Sequence, residues 1–268
     1  MTPRRNNSTP GVKLLRGRGR LKDDVRATLR ARLDGYDWSA VEAAIFERGF
    51  AILPGLLREA ECAAQVTLYG DARRFRKTVD MARHGFGEGE YKYFADPLPP
   101  LVAALRAEAY RRVAPIANAM ESALHRAPGP AEPTKWPASL PALRKRCAAA
   151  GQALPTPLLL RYGAGGYNCL HRDLYGPLVF PLQLAVFLSQ PGRDYDGGAF
   201  LLVEQRPRQQ SVGEALLLPR GDAVIFATAD RPRRGARGFH RAAMRHGVAT
   251  ITRGERWTLG VIFHDAKS

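Results

Sequence analysis

An α+β fold is predicted, with a helical N-terminal half packed on a C-terminal β-barrel or jelly roll. Three observations predict it. Leu101, Leu105, Ala109, Val113, Ile116, Met120 and Leu124 recur at steps of three and four, the period of one helix face. From about residue 156 that period gives way to short apolar or alternating segments: PLLLRYG, PLVFPLQLAVFLSQ, GGAFLLVEQ, EALLLP, DAVIFAT, HGVATIT and RWTLGVIF. Between them stand AGG, PGRDYDGG, PRGD and TRGE, the turn chemistry that joins strands of a sandwich or barrel.

Taken in order, residues 1–20 are Arg, Gly, Asn and Pro with little apolar content and read as a flexible basic arm. A helical part is expected over 21–155 and a jelly-roll core over 156–268, the two forming a single globular unit. The first helix is expected over 39–48, where Ser39 and Glu42 have capping-box spacing, Val41, Ala44 and Ile45 make a face, and Gly49 stops it. FAILPGLL (50–57) reads as a strand and turn, and a second helix follows over 58–69. RRFRKTVDMARHGFGEGEYKYF is more polar and suggests no clear element. A helix of about 25 residues carries the long apolar face, kinked by Pro115. APGPAEPTKWPASLP (127–141) is a Pro-rich loop, and a short helix is expected near 142–150.

Hydrophobic residues make up 45% of the 268 and charged residues 25%, which excludes wholesale disorder. No apolar run approaches the roughly 20 residues of a membrane helix. The basic N-terminal stretch has no apolar centre of the secretory kind. Three scattered cysteines make neither a disulfide framework nor a zinc cage, and a reducing cytoplasm is the simplest compartment. The formal net charge of +16, nearly all from arginine, favours polyanions such as nucleic acid.

Chemistry concentrates in two segments. In RYGAGGYNCLHRDLYG, His171 and Asp173 stand two apart on an expected strand, so both face one side. In RHGVATITRGERWTLGVIF (245–263), expected to be a hairpin, His246 and Arg256 share a face if Arg256 pairs near Thr250. An arginine pointing into a barrel needs an anion, and a small dicarboxylate chelating a metal at its other end supplies one. Two histidines and one carboxylate on one face leave three open positions for a bidentate 2-oxo acid and dioxygen, which is non-haem Fe(II) chemistry.

With these residues the sequence resembles the 2-oxoglutarate/Fe(II) dioxygenase superfamily, its prolyl-4-hydroxylase-like members in particular. YGAGGYNCLHRD, DGGAFLLVE, GDAVIF and HGVATITRGERWTLGVIF carry the resemblance over about 105 residues, in the expected order. It implies a double-stranded β-helix (jelly roll), with Fe(II) held by His171, Asp173 and His246. It further implies that the distal carboxylate of the 2-oxoglutarate co-substrate is paired with Arg256, with Tyr162 and Thr258 beside it, and that dioxygen is the second co-substrate. The whole chain also resembles a bacterial oxygenase family whose description links it to oxidative repair of alkylated DNA. The helical preface, RHGFGEGEYKYF and the barrel motifs fit that group. Leu160-Arg161-Tyr162 stands where AlkB-type repair enzymes carry Asn-x-Tyr, and the His-to-Arg spacing is of the prolyl-hydroxylase type.

The expected function is therefore Fe(II)- and 2-oxoglutarate-dependent hydroxylation of an unactivated C–H bond. Oxidative dealkylation of damaged DNA, protein or small-molecule hydroxylation, and a non-catalytic basic DNA-binding barrel all remain open at this point. His240 is the rival third ligand, in an Arg- and Gly-rich stretch that reads as a loop. RPRRGARGFHR (231–241), with five Arg and one His, reads equally as a phosphate grip or a solvated loop. Tyr91, Tyr93 and Phe94 read as core or as an aromatic lid, Cys169 as a small buried residue with parity to His171, and His264 as a strand-end cap.

Overall fold

The structure, a computed structural model, describes residues 11–124, 135–206, 208–236 and 238–267, with side chains from residue 23 onward. Among the described residues are five α-helices: α1 (Gly11–Asp34), α2 (Trp38–Arg48), α3 (Glu59–Leu68), α4 (Pro100–Leu124) and α5 (Leu140–Ala149). The N-terminal strands are β1 (Phe50–Leu53), β2 (Phe75–Asp80), β3 (Gly87–Glu88), β4 (Glu90–Phe94) and β5 (Gln152–Leu154). The central ones are β6 (Leu158–Tyr162), β7 (Tyr167–His171), β8 (Leu182–Phe187), β9 (Tyr195–Gly197), β10 (Phe200–Gln205) and β11 (Val212–Leu216). The last are β12 (Ala223–Ala227), β13 (Asp230–Gly235), β14 (Gly238–Val248), β15 (Ile251–Gly254), β16 (Arg256–Ile262) and β17 (Ala266–Lys267).

Two antiparallel sheets enclose the site. The larger runs β1-β12-β8-β16-β6-β4-β2, and the smaller runs β11-β10-β14-β7-β3 with β13 added to β14. The expected jelly roll is present, but the N-terminal half is not purely helical. Its β1, β4 and β2 complete the edges of the larger sheet, and β3 closes the smaller one. The polar segment that suggested no element thus supplies three strands. An edge strand needs only one apolar face, and β2 buries Val79 alone among its six residues.

The helices follow local rules. Asp37, not Ser39, caps α2: its Oδ1 accepts the amides of Ser39 at 3.0 Å and Ala40 at 3.1 Å. Gly49 ends that helix in the left-handed conformation, φ 85°. Helix α4 carries Pro115 inside it and buries the expected face. Residues 11–20 of the expected arm are helical, and residues 1–10 lie outside the described residues. Helix α1 docks on α4 through Leu29 and Leu33 and through buried Glu108, which accepts from Arg26 Nε at 2.6 Å and Arg30 Nε at 2.9 Å. Most of the Pro-rich loop, residues 127–134, lies outside the described residues.

Two C-terminal expectations change. Residues 245–263 are not a hairpin: β14 belongs to the smaller sheet and β16 to the larger, with β15 paired to β9 between them. The stretch 231–241 is not a loop but the β13–β14 hairpin, with Arg233 opposite His240. Three of its arginines are paired with carboxylates. Arg231 is buried against Glu204 and donates to the Phe46 carbonyl at 2.8 Å, Arg233 lies 3.3 Å from Glu204, and Arg241 lies 2.9 Å from Asp230. Arg237 lies outside the described residues. No helix among the described residues is long and apolar enough to cross a membrane.

His264 is fully buried and more than a cap, since its Nδ1 accepts the Phe180 amide at 3.2 Å. Burial pushes its pKa down from 6.5 to about 4. Between those values the unfolded chain binds a proton that the folded chain refuses. The stability is therefore complete above pH 6.5 and is lost as pH falls toward 4, by about 3 kcal/mol at most. Urea unfolding at pH 7 and pH 4.5 checks this: His264→Gln is expected to shrink the difference between the two, and an unchanged difference assigns the acid sensitivity elsewhere.

Candidate metal centre and co-substrate pocket

The ladder between β7 and β14 places His171 directly opposite His246, with ring centroids 4.2 Å apart. Asp173 lies just beyond the end of β7, not on it, and still turns inward. Its Oδ2 is 3.3 Å from His246 Nε2, and its Oδ1 is 3.6 Å from His171 Nε2. The ligand atoms of all three residues lie within 4.8 Å of one another, the only such group of three or more among the described residues. Its ligand types, two imidazoles and one carboxylate, are those of a facial triad.

Electrostatics prepare these residues to bind a cation. Burial lowers the His171 pKa and the neighbouring His246 lowers it further, so the ring is neutral at pH 7. His171 Nδ1 lies 2.8 Å from the Cys169 carbonyl, which as acceptor fixes the proton there and leaves the Nε2 lone pair free. Burial would raise the Asp173 carboxyl, but hydrogen bonding to His246 and the fields of both histidines hold it well below the ordinary carboxylate range. His240 sits on β14 six residues before His246. At ~3.3 Å per residue it is about 20 Å away, so it is no rival ligand.

The triad opens into a cavity of about 390 Å³ between the sheets, lined also by Tyr162, Asn168, Gln183, Arg256 and Thr258. Arg256 opens β16 opposite Tyr162 on β6, and so faces His246 across the cavity rather than along a hairpin. Arg256 is 1% exposed. Nη1 donates to Thr258 Oγ1 at 2.7 Å, while Nε and Nη2 are buried without partners. Rings of Phe187, Tyr162 and Tyr195 surround it at 5.2, 5.7 and 6.0 Å, and no carboxylate among the described residues is paired with it. Burial lowers its pKa without discharging it. A buried guanidinium with unpartnered N–H groups is costly, and a planar carboxylate is the ligand that satisfies it bidentately. The donor set thus fits a small dicarboxylate bridging from metal to arginine.

Thr258 is placed to hold the arginine, and its own hydroxyl proton remains free for a ligand oxygen. Tyr162, fully buried, accepts from Asn168 Nδ2 at 3.2 Å, and burial pushes its hydroxyl up to about 12, so it stays a donor. Tyr93 and Phe94 are core and Tyr91 lines the cavity, so that cluster is divided between its two expected roles. Cys169 is exposed, not buried.

Sequence reasoning missed four contributors. Gln183 lines the cavity with its Nε2 buried and unpartnered, hidden in an apolar strand. Asn168 orients Tyr162. Tyr175 donates to Asp173 Oδ1 at 2.7 Å, and its parity with Asp173 was the available signal. Gly89 lets the chain pass Tyr162, since a Cβ there would sit 2.8 Å from the ring at φ +151°.

A family described as an oxygenase catalysing oxidative methylation of damaged DNA matches residues 89–266. Proteins from two strains of Mycobacterium tuberculosis, both named only as uncharacterized, are 48% identical over 173 residues, 65% of this chain and 72% of theirs. An oxidoreductase of the 2OG-Fe(II) oxygenase family from Burkholderia pseudomallei superposes with TM-score 0.51 at 14% identity, over 87% of this chain and 95% of that one. A Pseudomonas putida prolyl-4-hydroxylase gives TM-score 0.48 at 13% identity, over 84% and 96%. The Burkholderia likeness establishes the jelly-roll fold.

Proposed function

The chain belongs to this oxygenase family, and we propose that it is a 2-oxoglutarate- and Fe(II)-dependent dioxygenase that oxidises an N-alkyl carbon of damaged nucleic acid. The observation that carries the reading is Arg256, buried and short of an anion across the cavity from His171, Asp173 and His246. Those three residues would hold Fe(II). Arg256, oriented by Thr258, would pair with the distal carboxylate of 2-oxoglutarate, with Tyr162 as a further donor. Fe(II) with 2-oxoglutarate and dioxygen supplies C–H oxidation, with succinate and CO₂ as co-products. Oxidation of an N-methyl carbon gives a hemiaminal that collapses to formaldehyde and the free base, so the chemistry removes a methyl group rather than adding one.

Support for a nucleic-acid substrate comes from charge and from the cavity's rim. The chain carries a net +16. At the mouth stand exposed Phe86, stacked on His84 at 5.3 Å, exposed Leu170 and exposed Arg172. A flat ring flanked by phosphate suits such an apolar and cationic rim. A reducing cytoplasm, which maintains Fe(II) and three free cysteines, belongs to the same reading. So does a single functional unit of helices and barrel, whose shared core runs from Leu29 to Phe263.

The test is turnover of methylated single- and double-stranded DNA beside a peptide library, with Fe(II), 2-oxoglutarate and air. Formaldehyde released in step with succinate is expected from methylated DNA. Peptide or small-molecule oxidation with no formaldehyde from DNA overturns the substrate and leaves the dioxygenase. Absence of 2-oxoglutarate consumption under every condition overturns both and favours a binding protein.

A further inference from the structure

Asp173 offers a cation two oxygens, and the structure treats them differently. Oδ2 lies 3.3 Å from His246 Nε2 and Oδ1 lies 3.6 Å from His171 Nε2, but only Oδ1 also accepts from the Tyr175 hydroxyl, at 2.7 Å. Tyr175 in turn accepts from the Tyr93 hydroxyl at 3.0 Å. Tyr93 stands on β4 of the larger sheet, and Asp173 follows β7 of the smaller. Two hydroxyls in series therefore bridge the sheets beside the ligand cluster, and each bond in such a chain polarises and strengthens the next.

We propose that Tyr175, braced by Tyr93, is a positioning residue that holds Asp173 Oδ1 off the metal, so that the carboxylate binds through Oδ2 alone. The proposal rests on the metal-centre reading above. Its consequence is a count of coordination positions. An octahedral cation bound by two imidazoles and one carboxylate oxygen keeps three positions open. A carboxylate can also bind through both oxygens. Two imidazoles and a two-toothed Asp173 would leave two positions, which a bidentate 2-oxo acid fills completely. Tyr175 thus reserves the position that a third, small ligand needs. A purely structural tyrosine would pack its ring and need no hydroxyl donating to a ligand carboxylate.

Co(II) in place of Fe(II) tests this without turnover. The full chain is loaded with Co(II) and 2-oxoglutarate, and azide, a small one-toothed anion, is titrated while the visible absorption is followed. The wild type is expected to bind all three. Tyr175→Phe is expected to retain Co(II) and 2-oxoglutarate but to bind azide about tenfold more weakly, the scale of losing a hydrogen-bond partner behind a metal ligand. Tyr93→Phe, which removes only the brace, is expected to show a smaller loss in the same direction. Wild-type azide affinity in Tyr175→Phe overturns the proposal, and so does a folded Tyr175→Phe protein that no longer takes up Co(II). Should Tyr175→Phe fail to fold, wild-type azide affinity in Tyr93→Phe overturns it instead. A wild type that binds no Co(II) removes the metal-centre reading itself, and this proposal with it.

Discussion

Alanine in place of His171, Asp173 or His246 is expected to reduce Fe(II)-dependent 2-oxoglutarate consumption below detection in each case, while His240→Ala leaves it intact. The expectation follows from geometry. Three ligand atoms within 4.8 Å of one another define one cation position. Ferrous ion is weakly held relative to later divalent metals, and loss of one of three protein ligands leaves a site too weak for it. Asp173 carries the further burden of being the only anion among the three. Succinate formation and equilibrium Co(II) binding measure the effect independently. Activity surviving in His246→Ala but lost in His240→Ala would reassign the third ligand, and activity surviving in all of them would remove the metal centre.

Arg256→Leu is expected to act in opposite directions on binding and on stability. Losing a bidentate, charge-assisted contact with the distal carboxylate costs about 2–4 kcal/mol, so half-saturation by 2-oxoglutarate rises about 30- to 1,000-fold. Co(II) affinity in the absence of 2-oxoglutarate stays close to wild type, because Arg256 lies on the other sheet from the two histidines. Without ligand, the wild type keeps a guanidinium buried with Nε and Nη2 unpartnered. A leucine there removes that cost, so the unliganded variant unfolds at an equal or higher temperature. With 2-oxoglutarate at about 100 times its Kd the wild type gains about 2.7 kcal/mol, and the variant at the same concentration gains far less. Thermal melts with and without 2-oxoglutarate check both signs. An unchanged half-saturation would show that another group holds the carboxylate.

Much of this was visible along the chain because the relevant physics is local. The period of α4, the Gly49 stop and the alternation of the late strands each depend on neighbours a few residues apart. The His171-x-Asp173 spacing fixes a common face for the same reason, even though Asp173 lies just past its strand. The β2–β4 stretch was not legible, because an edge strand borrows its order from the sheet it joins and needs little apolar patterning of its own. The β13–β14 hairpin was obscured by arginines that look solvated in sequence and are paired with Glu204 and Asp230 in the fold.

The identities of the ligands, the late strands and the anion-seeking arginine were set in the order of residues, since spacing and side-chain chemistry belong to the chain alone. The side of the cavity from which each one points was not. His246 and Arg256 are ten residues apart in sequence and stand on opposite sheets, because the chain crosses between them through β15. That crossing puts Arg256 across the cavity from His171, Asp173 and His246. The partnership of Asp173 with Tyr175 and Tyr93, and of Tyr162 with Asn168, likewise exists only after strands distant in sequence have paired. Hydrogen bonds and burial are properties of what surrounds a group. The unsatisfied guanidinium and the unequal oxygens of Asp173 therefore come into being only when the two sheets close around them.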